Sequence, residues 1–246
     1  MEQNGREKSF VIAAALLAIS LVICSFVLAK PISYYAASKS SITVTGSAKK
    51  QIVSDLAVWR GSFYQESANL PEAYQGLKGH LEKVKSYLKA KGIPEDQIVV
   101  SSINTMPQYI YNPNGTSTGR IASYRLLQSV EIKSNDVQKI AGIARESTEL
   151  IEQGVVFESQ QPQYFYTKLN DLKVNMLAEA TKDAKLRAEK MASSTGSRIG
   201  ALRSAKMGVF QITAVNSNEI SDYGINDTFS LEKEITAVVN VEFSVK

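Results

Sequence analysis

The sequence predicts an α+β fold: a mostly antiparallel sheet with three helices packed on one side, built of β-α-β-β type units and preceded by an N-terminal transmembrane helix. Three observations carry this prediction. Residues 10–29 form an apolar run without a formal charge. Three later stretches repeat apolar residues at helical spacing and are separated by β-patterned stretches. The chain ends on Ile235, Ala237, Val239, Val241, Phe243 and Val245, all of one parity, which is the period-two mark of a strand buried on one face.

Taken in order, residues 1–9 are a short polar tail. At ~1.5 Å rise per residue, a helix over 10–29 is about 30 Å long, the hydrocarbon thickness of a bilayer. The stretch is read as a retained single-pass anchor. A cleaved signal peptide is the competing reading, with Ala36-Ala37-Ser38 as its cleavage site. The apolar run is longer than the ~7–15 residues usual for a signal core, which favours retention. Residues 30–40 are a linker. Tyr34 and Tyr35 sit just past the apolar run, where amphipathic rings favour the headgroup region. Charge does not fix the orientation: Arg6 and Lys8 precede the segment, and Lys30, Lys39, Lys49 and Lys50 follow it.

The remaining stretch, 41–246, is expected to be one α+β domain. Ile42 and Val44 alternate with Thr43 and Thr45 as a strand, and residues 46–50 read as a turn. Residues 52–66 read as a long strand with apolar residues on both parities: Val53, Ala57, Trp59 and Phe63 on one, Ile52, Leu56, Val58 and Tyr64 on the other. Both faces then need cover, one by helices and the other by a partner subunit. Asn69 with Glu72 suggests a capping box. Leu70, Ala73, Leu77, Leu81, Val84 and Leu88 give the first helical stripe, which Gly92 and Pro94 stop.

Residues 98–111 and 121–133 pair as a hairpin around an exposed tip at 112–119. Ser134 or Asn135 caps a second helix with Val137, Ile140, Ala141 and Ala144 inward, ended by Gly154. Residues 155–165 are extended, with a break near Pro162. The third helix, about 168–194, carries Leu172, Met176, Ala180, Ala184 and Ala188, alanines small enough to let it lie close to the sheet. Asp183 with Arg187 and Lys185 with Glu189 are i,i+4 pairs. Residues 201–215 form a strand, 216–230 a polar loop, and the terminal strand follows.

Composition narrows the chemistry. The 246 residues are 44% hydrophobic and 21% charged, as in an ordinary folded protein, and the formal charge is only +4. Nucleic acid is therefore not an expected partner. The lysines over 78–91 read as a solvated helix face without interleaved aromatic rings. Cys24, the single cysteine, lies in the apolar run, and His80 is the single histidine. Zinc sites of the usual His/Cys types are thus excluded. His80 lies beside the first helical stripe and reads as a boundary residue. No nucleophile elbow, phosphate-binding loop or dinucleotide fingerprint is present. No catalytic, cofactor-binding or metal residue is expected. Asp55 and Glu131 are the acids named for a carboxylate-dependent hydrolase, and both read first as solvated strand-face charges. Tyr109, Tyr111, Tyr164, Phe165 and Tyr166, in extended segments rich in Gln, Pro and Asn, are the candidate interface residues. Capping of the domain's own core is the competing account of these rings.

Several segments together resemble the bacterial SIMPL-domain family, over roughly 41–246. They are Ile42-Thr43-Val44-Thr45-Gly46-Ser47, Met106-Pro107-Gln108-Tyr109 and Ala122-Ser123-Tyr124-Arg125. To these are added the alanine-rich run from Lys182-Asp183-Ala184-Lys185 through Leu186-Arg187-Ala188-Glu189-Lys190-Met191, and then Gly200. The family includes an oxidative-stress defence protein and an immunogenic periplasmic protein. The resemblance implies a non-enzymatic, exported protein, with a ring-like assembly known for one member and a stress-defence role attached to another.

Together these readings give a membrane-tethered, self-assembling scaffold of the bacterial envelope. Its homo-oligomer would be held to the bilayer through 10–29 of the inner membrane, with the C-terminal domain outside the cytoplasm. The alternative is a monomeric envelope module that binds a small ligand or polymer in a cleft beside the 112–119 tip.

Overall fold

The computed structural model describes residues 16–25, 27 and 40–246. Within the predicted anchor, residues 16–25 are helical. The rest of that stretch, the tail and nearly all of the linker lie outside the described residues. Among the described residues, no helix is long and apolar enough to cross a membrane. The expectations of an N-terminal transmembrane helix, a bilayer partner and single-pass inner-membrane placement are corrected on this finding.

From residue 41 onward the chain folds as two compact units. The larger comprises residues 49–173 and 210–236. It contains β2 (Leu56–Ser67), α1 (Leu70–Ala90), β3 (Ile98–Val100), β4 (Asn104–Tyr111), β5 (Ser117–Ser134), α2 (Val137–Glu146), β6 (Val156–Ser159) and β7 (Gln163–Phe165). Its main sheet has the order β3-β5-β2-β6, with β4 on β5 and β7 on β2. All of these pairings are antiparallel.

α1 and α2 pack against β2 on a single face of this sheet. That face presents Ala57, Trp59 and Phe63 of β2 with Leu126, Val130 and Ile132 of β5, all buried, against Leu77, Val84 and Leu88 of α1 and Ile140 of α2. A Cβ on Gly61 would overlap the ring of Phe157, so the absent side chain is what lets Phe157 approach Trp59. The Trp59 indole N–H donates to Ser159 Oγ at 3.0 Å, and that hydroxyl donates to the Ala144 carbonyl at 2.7 Å.

The strand expected over 52–66 is interrupted. β1 (Ser41–Val53) ends first, and Ser54-Asp55 turns the chain into β2. The break places Ile52, buried, and Val53, exposed, in β1 and so removes both from the faces of β2. In β2 only the odd residues are core-facing. The even residues alternate Leu56, Val58 and Tyr64 with Arg60, Ser62 and Glu66, and the last three lie opposite Glu131, Ser129 and Arg125 of β5. The helix-free face of β2 is therefore mixed rather than wholly apolar, and the case for a partner subunit drawn from a second apolar face is corrected on that ground.

The smaller unit comprises residues up to 48, 174–209 and 237–246. β8 (Ile199–Met207) pairs antiparallel with β11 (Glu232–Val245), which also neighbours β1. On β11 the predicted parity holds: Ala237, Val239, Val241 and Phe243 are buried. α3 (Leu169–Ser194) supplies the matching stripe of Met176, Ala180, Ala184, Ala188 and Ala192. Gly46, read from sequence as a turn, lies inside β1. Its Cβ position is occupied by the Ala180 carbonyl and by Ala184, so the helix backbone rests directly on the strand. Asp183 secures the contact by accepting from Ser47 N at 2.8 Å and pairing with Arg187 at 2.8 Å. The Lys185–Glu189 pair also forms. The helices thus divide between two sheets rather than covering one, because the alanine stripe of α3 matches Gly46 of β1.

In the larger unit, β9 (Gln211–Ala214) pairs antiparallel with the start of β11 and parallel with β10 (Ile225–Asn226). α1 has no side-chain cap from Asn69. Instead Ser67 Oγ accepts from Asn69 N and donates to Glu72. α2 is capped by Asp136, which accepts from Lys139 N at 3.0 Å.

Two glycine substitutions should move stability in opposite directions. Gly46→Ala drives a methyl into helix backbone and should cost about 1–3 kcal/mol. Gly79→Ala, within α1 and with nothing within 4 Å of its Cβ position, should gain about 0.5–1 kcal/mol. Urea unfolding of the two variants beside the parent checks both signs.

Candidate functional site

The helix-free face of the larger unit's sheet follows from the β2 register. Arg60 lies opposite Glu131 of β5, and Glu131 lies opposite Val99 of β3. Val58 lies opposite Lys133 on one side and Gln163 of β7 on the other. Ser62 lies between Ser129 and Glu158. Directly opposed residues share a face, so these rows form one continuous surface, polar except for Val58 and Val99.

Arg60 Nη2 and Glu131 Oε2 are 2.6 Å apart, and Lys133 Nζ is 3.4 Å from the other Glu131 oxygen. The hydrogen bond from Arg60, with a weaker one from Lys133, holds the Glu131 carboxyl below the usual carboxylate range, against partial burial. The pair stands between two depressions. One, of about 230 Å³, is lined by Val58, Gln160, Gln161, Gln163 and Phe229 besides the pair. The other, of about 320 Å³, is lined by Val99, Ser101 and Ser129 besides the pair. On this face Arg60 and Lys133 are offset by Glu131 and Glu158, and further along Arg125 pairs with Glu66 at 3.0 Å. The surface is polar without a net sign.

Phe229, 54% exposed beside the first depression, is carried by a fixed loop. Asp227 Oδ1 accepts from Phe229 N at 2.7 Å and from Ser230 N at 3.2 Å. Tyr164 N donates to the Thr228 carbonyl at 2.7 Å, and Ser54 N donates to the Leu231 carbonyl. The Tyr164 carbonyl accepts from Lys233 Nζ at 2.5 Å. Lys233 is 3% exposed. Burial pushes its ammonium below the ordinary lysine value, with Asp227 opposing. Lys233 is therefore a positioning residue for the loop that bears Phe229.

The model of the SIMPL family, described as a protein of unknown function (DUF541), matches residues 42–243. The chain belongs to the SIMPL family. No curated protein matches it. Among solved structures, it is similar to a crystal structure of a hydrolase from Listeria innocua at 11% identity. That likeness covers 80% of this chain and 91% of that one, with a TM-score of 0.14, a value too low to carry any inference.

This SIMPL domain separates the five aromatic residues singled out from sequence. Tyr109 and Tyr111 are exposed on β4, Tyr109 opposite Ile121. Tyr164 belongs to the buried core and lies opposite Ala57, while Phe165 and Tyr166 are half-buried. Tyr124, the β5 neighbour of the Tyr109 region, lies opposite Ser67. Ten strand residues separate Ser67 from Ala57, on the order of 33 Å. The five rings do not form one patch. Neither depression includes a residue of the 112–119 tip, where a cleft was expected.

The two named carboxylates do not meet either. Asp55 accepts from Thr167 N and Oγ1 at 2.7 and 2.8 Å, whereas Glu131 faces Arg60 further along β2. Among the described residues, no cluster of His, Cys, Asp and Glu has the form of a metal site. Three lysines of the 78–91 stretch are paired: Lys85 and Lys89 reach Glu95, and Lys91 reaches Glu146. Arg60, the glutamines and Phe229 were missed. A charge in the middle of an apolar strand was the visible signal for Arg60, but its partner 71 residues away is set only by register.

His80 is half-buried on α1, and its Nδ1 is buried without a hydrogen-bond partner. Burial lowers its pKa from 6.5, opposed by a hydrogen bond with the Tyr64 backbone and assisted by Lys83. The unfolded chain then binds the proton more readily. Stability is full above the unfolded value and falls as the pH drops through 6.5 towards the folded value. Chemical denaturation between about pH 7.5 and pH 5.5 should show this loss, and His80→Gln should flatten it; the paired carboxylates titrate lower. Lys233→Ala should cost about 1–3 kcal/mol by leaving the Tyr164 carbonyl unsatisfied, read as a lowered urea midpoint.

Proposed function

We propose that this SIMPL protein is a non-enzymatic binding module that seats a small polar ligand, or a segment of a polar polymer, on the helix-free face of its larger sheet. The observation that carries the reading is the Arg60–Glu131 pair standing between two depressions on a face that no helix covers. Ligand sites combine a concave apolar lining with a few convergent polar groups. Here Val58, Val99 and Phe229 supply the first, and the ion pair and glutamine amides the second. Support for a binding rather than a catalytic role comes from Glu131. It is held ionised by two cations and lacks the raised pKa of a general acid.

An exposed pair of this kind contributes roughly 0–1 kcal/mol to stability, so a variant lacking it should fold. The full chain, isotope-labelled, is titrated with a library of small neutral amide and polyol fragments. The expected result is a set of resonance shifts clustered at Val58, Arg60, Val99, Glu131 and Gln163. The Arg60→Ala, Glu131→Ala double variant should lose these shifts while its denaturation midpoint stays close to the parent's. Shifts confined to the β4–β5 hairpin, or none, would overturn the assignment.

A further inference from the structure

We infer that the occupant of the helix-free face is a neutral oligosaccharide laid across the strands, an inference that rests on the binding role proposed above. The two depressions, which share Arg60 and Glu131, together cross four lanes: Val99 on β3, Glu131 on β5, Arg60 on β2 and Gln163 on β7, with Phe229 beyond the last. Adjacent strands are ~4.8 Å apart, so the lanes cover roughly 14 Å. Their spacing is close to the length that one pyranose ring adds to a β-linked chain. A ligand in this direction meets side chains and not the strands' own hydrogen-bonding groups, so it must be read by planar polar groups. The guanidinium of Arg60, the carboxylate of Glu131 and the glutamine amide each present two donors or acceptors in one plane, suited to neighbouring hydroxyls or an acetamido group. The exposed Phe229 ring offers an apolar surface for one sugar face.

Charge argues for a neutral occupant. Arg60 and Lys133 are balanced on the same face by Glu131 and Glu158, which leaves no net attraction for a polyanion or a polycation. An extended peptide is disfavoured as well. Strand addition needs a free edge; the edges beside the two depressions are short, β3 and β7 with three residues and β6 with four, and the longer edge strand β4 carries Pro107 and lines neither depression.

The test is titration of the isotope-labelled full chain with chitotetraose and cellotetraose, with a heparin tetrasaccharide as the polyanion control. Either neutral tetrasaccharide should shift the resonances of Val99, Glu131, Arg60 and Gln163 along one saturation curve. Chitobiose or cellobiose, reaching only part of the lanes, should bind at least tenfold more weakly. Gln163→Ala and Phe229→Ala should each weaken tetrasaccharide binding at least fivefold. Equal binding of the disaccharide, tighter binding of heparin, or silence of the face towards both neutral tetrasaccharides would overturn the inference. Silence towards the sugars alongside shifts from the small fragments would refute the oligosaccharide and leave the binding role standing. Silence towards both would refute the two together.

Discussion

The pleat of β2 is the constraint on which the rest of the larger unit depends. Successive side chains of a strand point to opposite faces, so one register decides two surfaces at once. Trp59 and Phe63, both fully buried, enter the core under α1 and α2, and Gly61 between them makes room for Phe157. Burying such side chains is worth about 1.5–3 kcal/mol each. A slip of one residue would expose both rings and drive Arg60 into an apolar interior, where an unpaired charge is far more costly than a lost ring contact. The energy that fixes the core therefore also fixes the opposite face. Arg60, Glu131 and Val99 stay in one row because the rings behind them cannot move.

A second restraint acts beside the first depression. Tyr164 offers both its backbone groups to the segment before β11: its N–H to the Thr228 carbonyl, its carbonyl to Lys233. Lys233 occupies the buried parity of β11, where the pattern calls for an apolar residue. Its ammonium gives up hydration and is held by one strong hydrogen bond, with Asp227 as the nearby charge. A buried lysine is weak evidence of stability in itself. Its consequence here is geometric: the loop carrying Phe229 is tied to the same strand, β7, that supplies Gln163.

Much of this architecture was legible in the residues. The odd-parity ending of the chain gave β11, the alanine stripe gave the close packing of α3, and the turn signals at 112–119 gave the hairpin. These are local patterns, and local patterns survive without knowledge of partners. What was not legible depended on partners. Gly46 looked like a turn glycine because nothing near it in sequence announces that Ala180 and Ala184 will lie on it. The reading of 52–66 as one strand with two apolar faces failed because a break at Ser54-Asp55 takes Ile52 and Val53 into β1 and Arg60, Ser62 and Glu66 interrupt the second face of β2. Two polar residues are a faint signal for that break. Arg60 and Glu131 belong to different strands, and only their register joins them. Tyr164 was grouped with Tyr109 by residue type, although the strand between them carries them to distant places.

Two exposed features of the larger unit compete for a functional reading, and their physics differs. The β4–β5 hairpin shows Tyr109, Ile110, Tyr111 and Ile121 to solvent, but beyond Tyr124 it is a two-stranded arm whose β5 has left β2. Such ribbons are marginally stable alone, and Pro107 within β4 withholds a backbone donor from further pairing. A surface of this kind defines no fixed set of distances. The helix-free face is backed by the protein's most buried residues, and its polar groups sit at intervals set by strand spacing. Selective recognition requires groups held in place before the ligand arrives, since ordering them on contact consumes binding energy. The sheet face meets that condition, and the arm, lacking any layer behind it, does not.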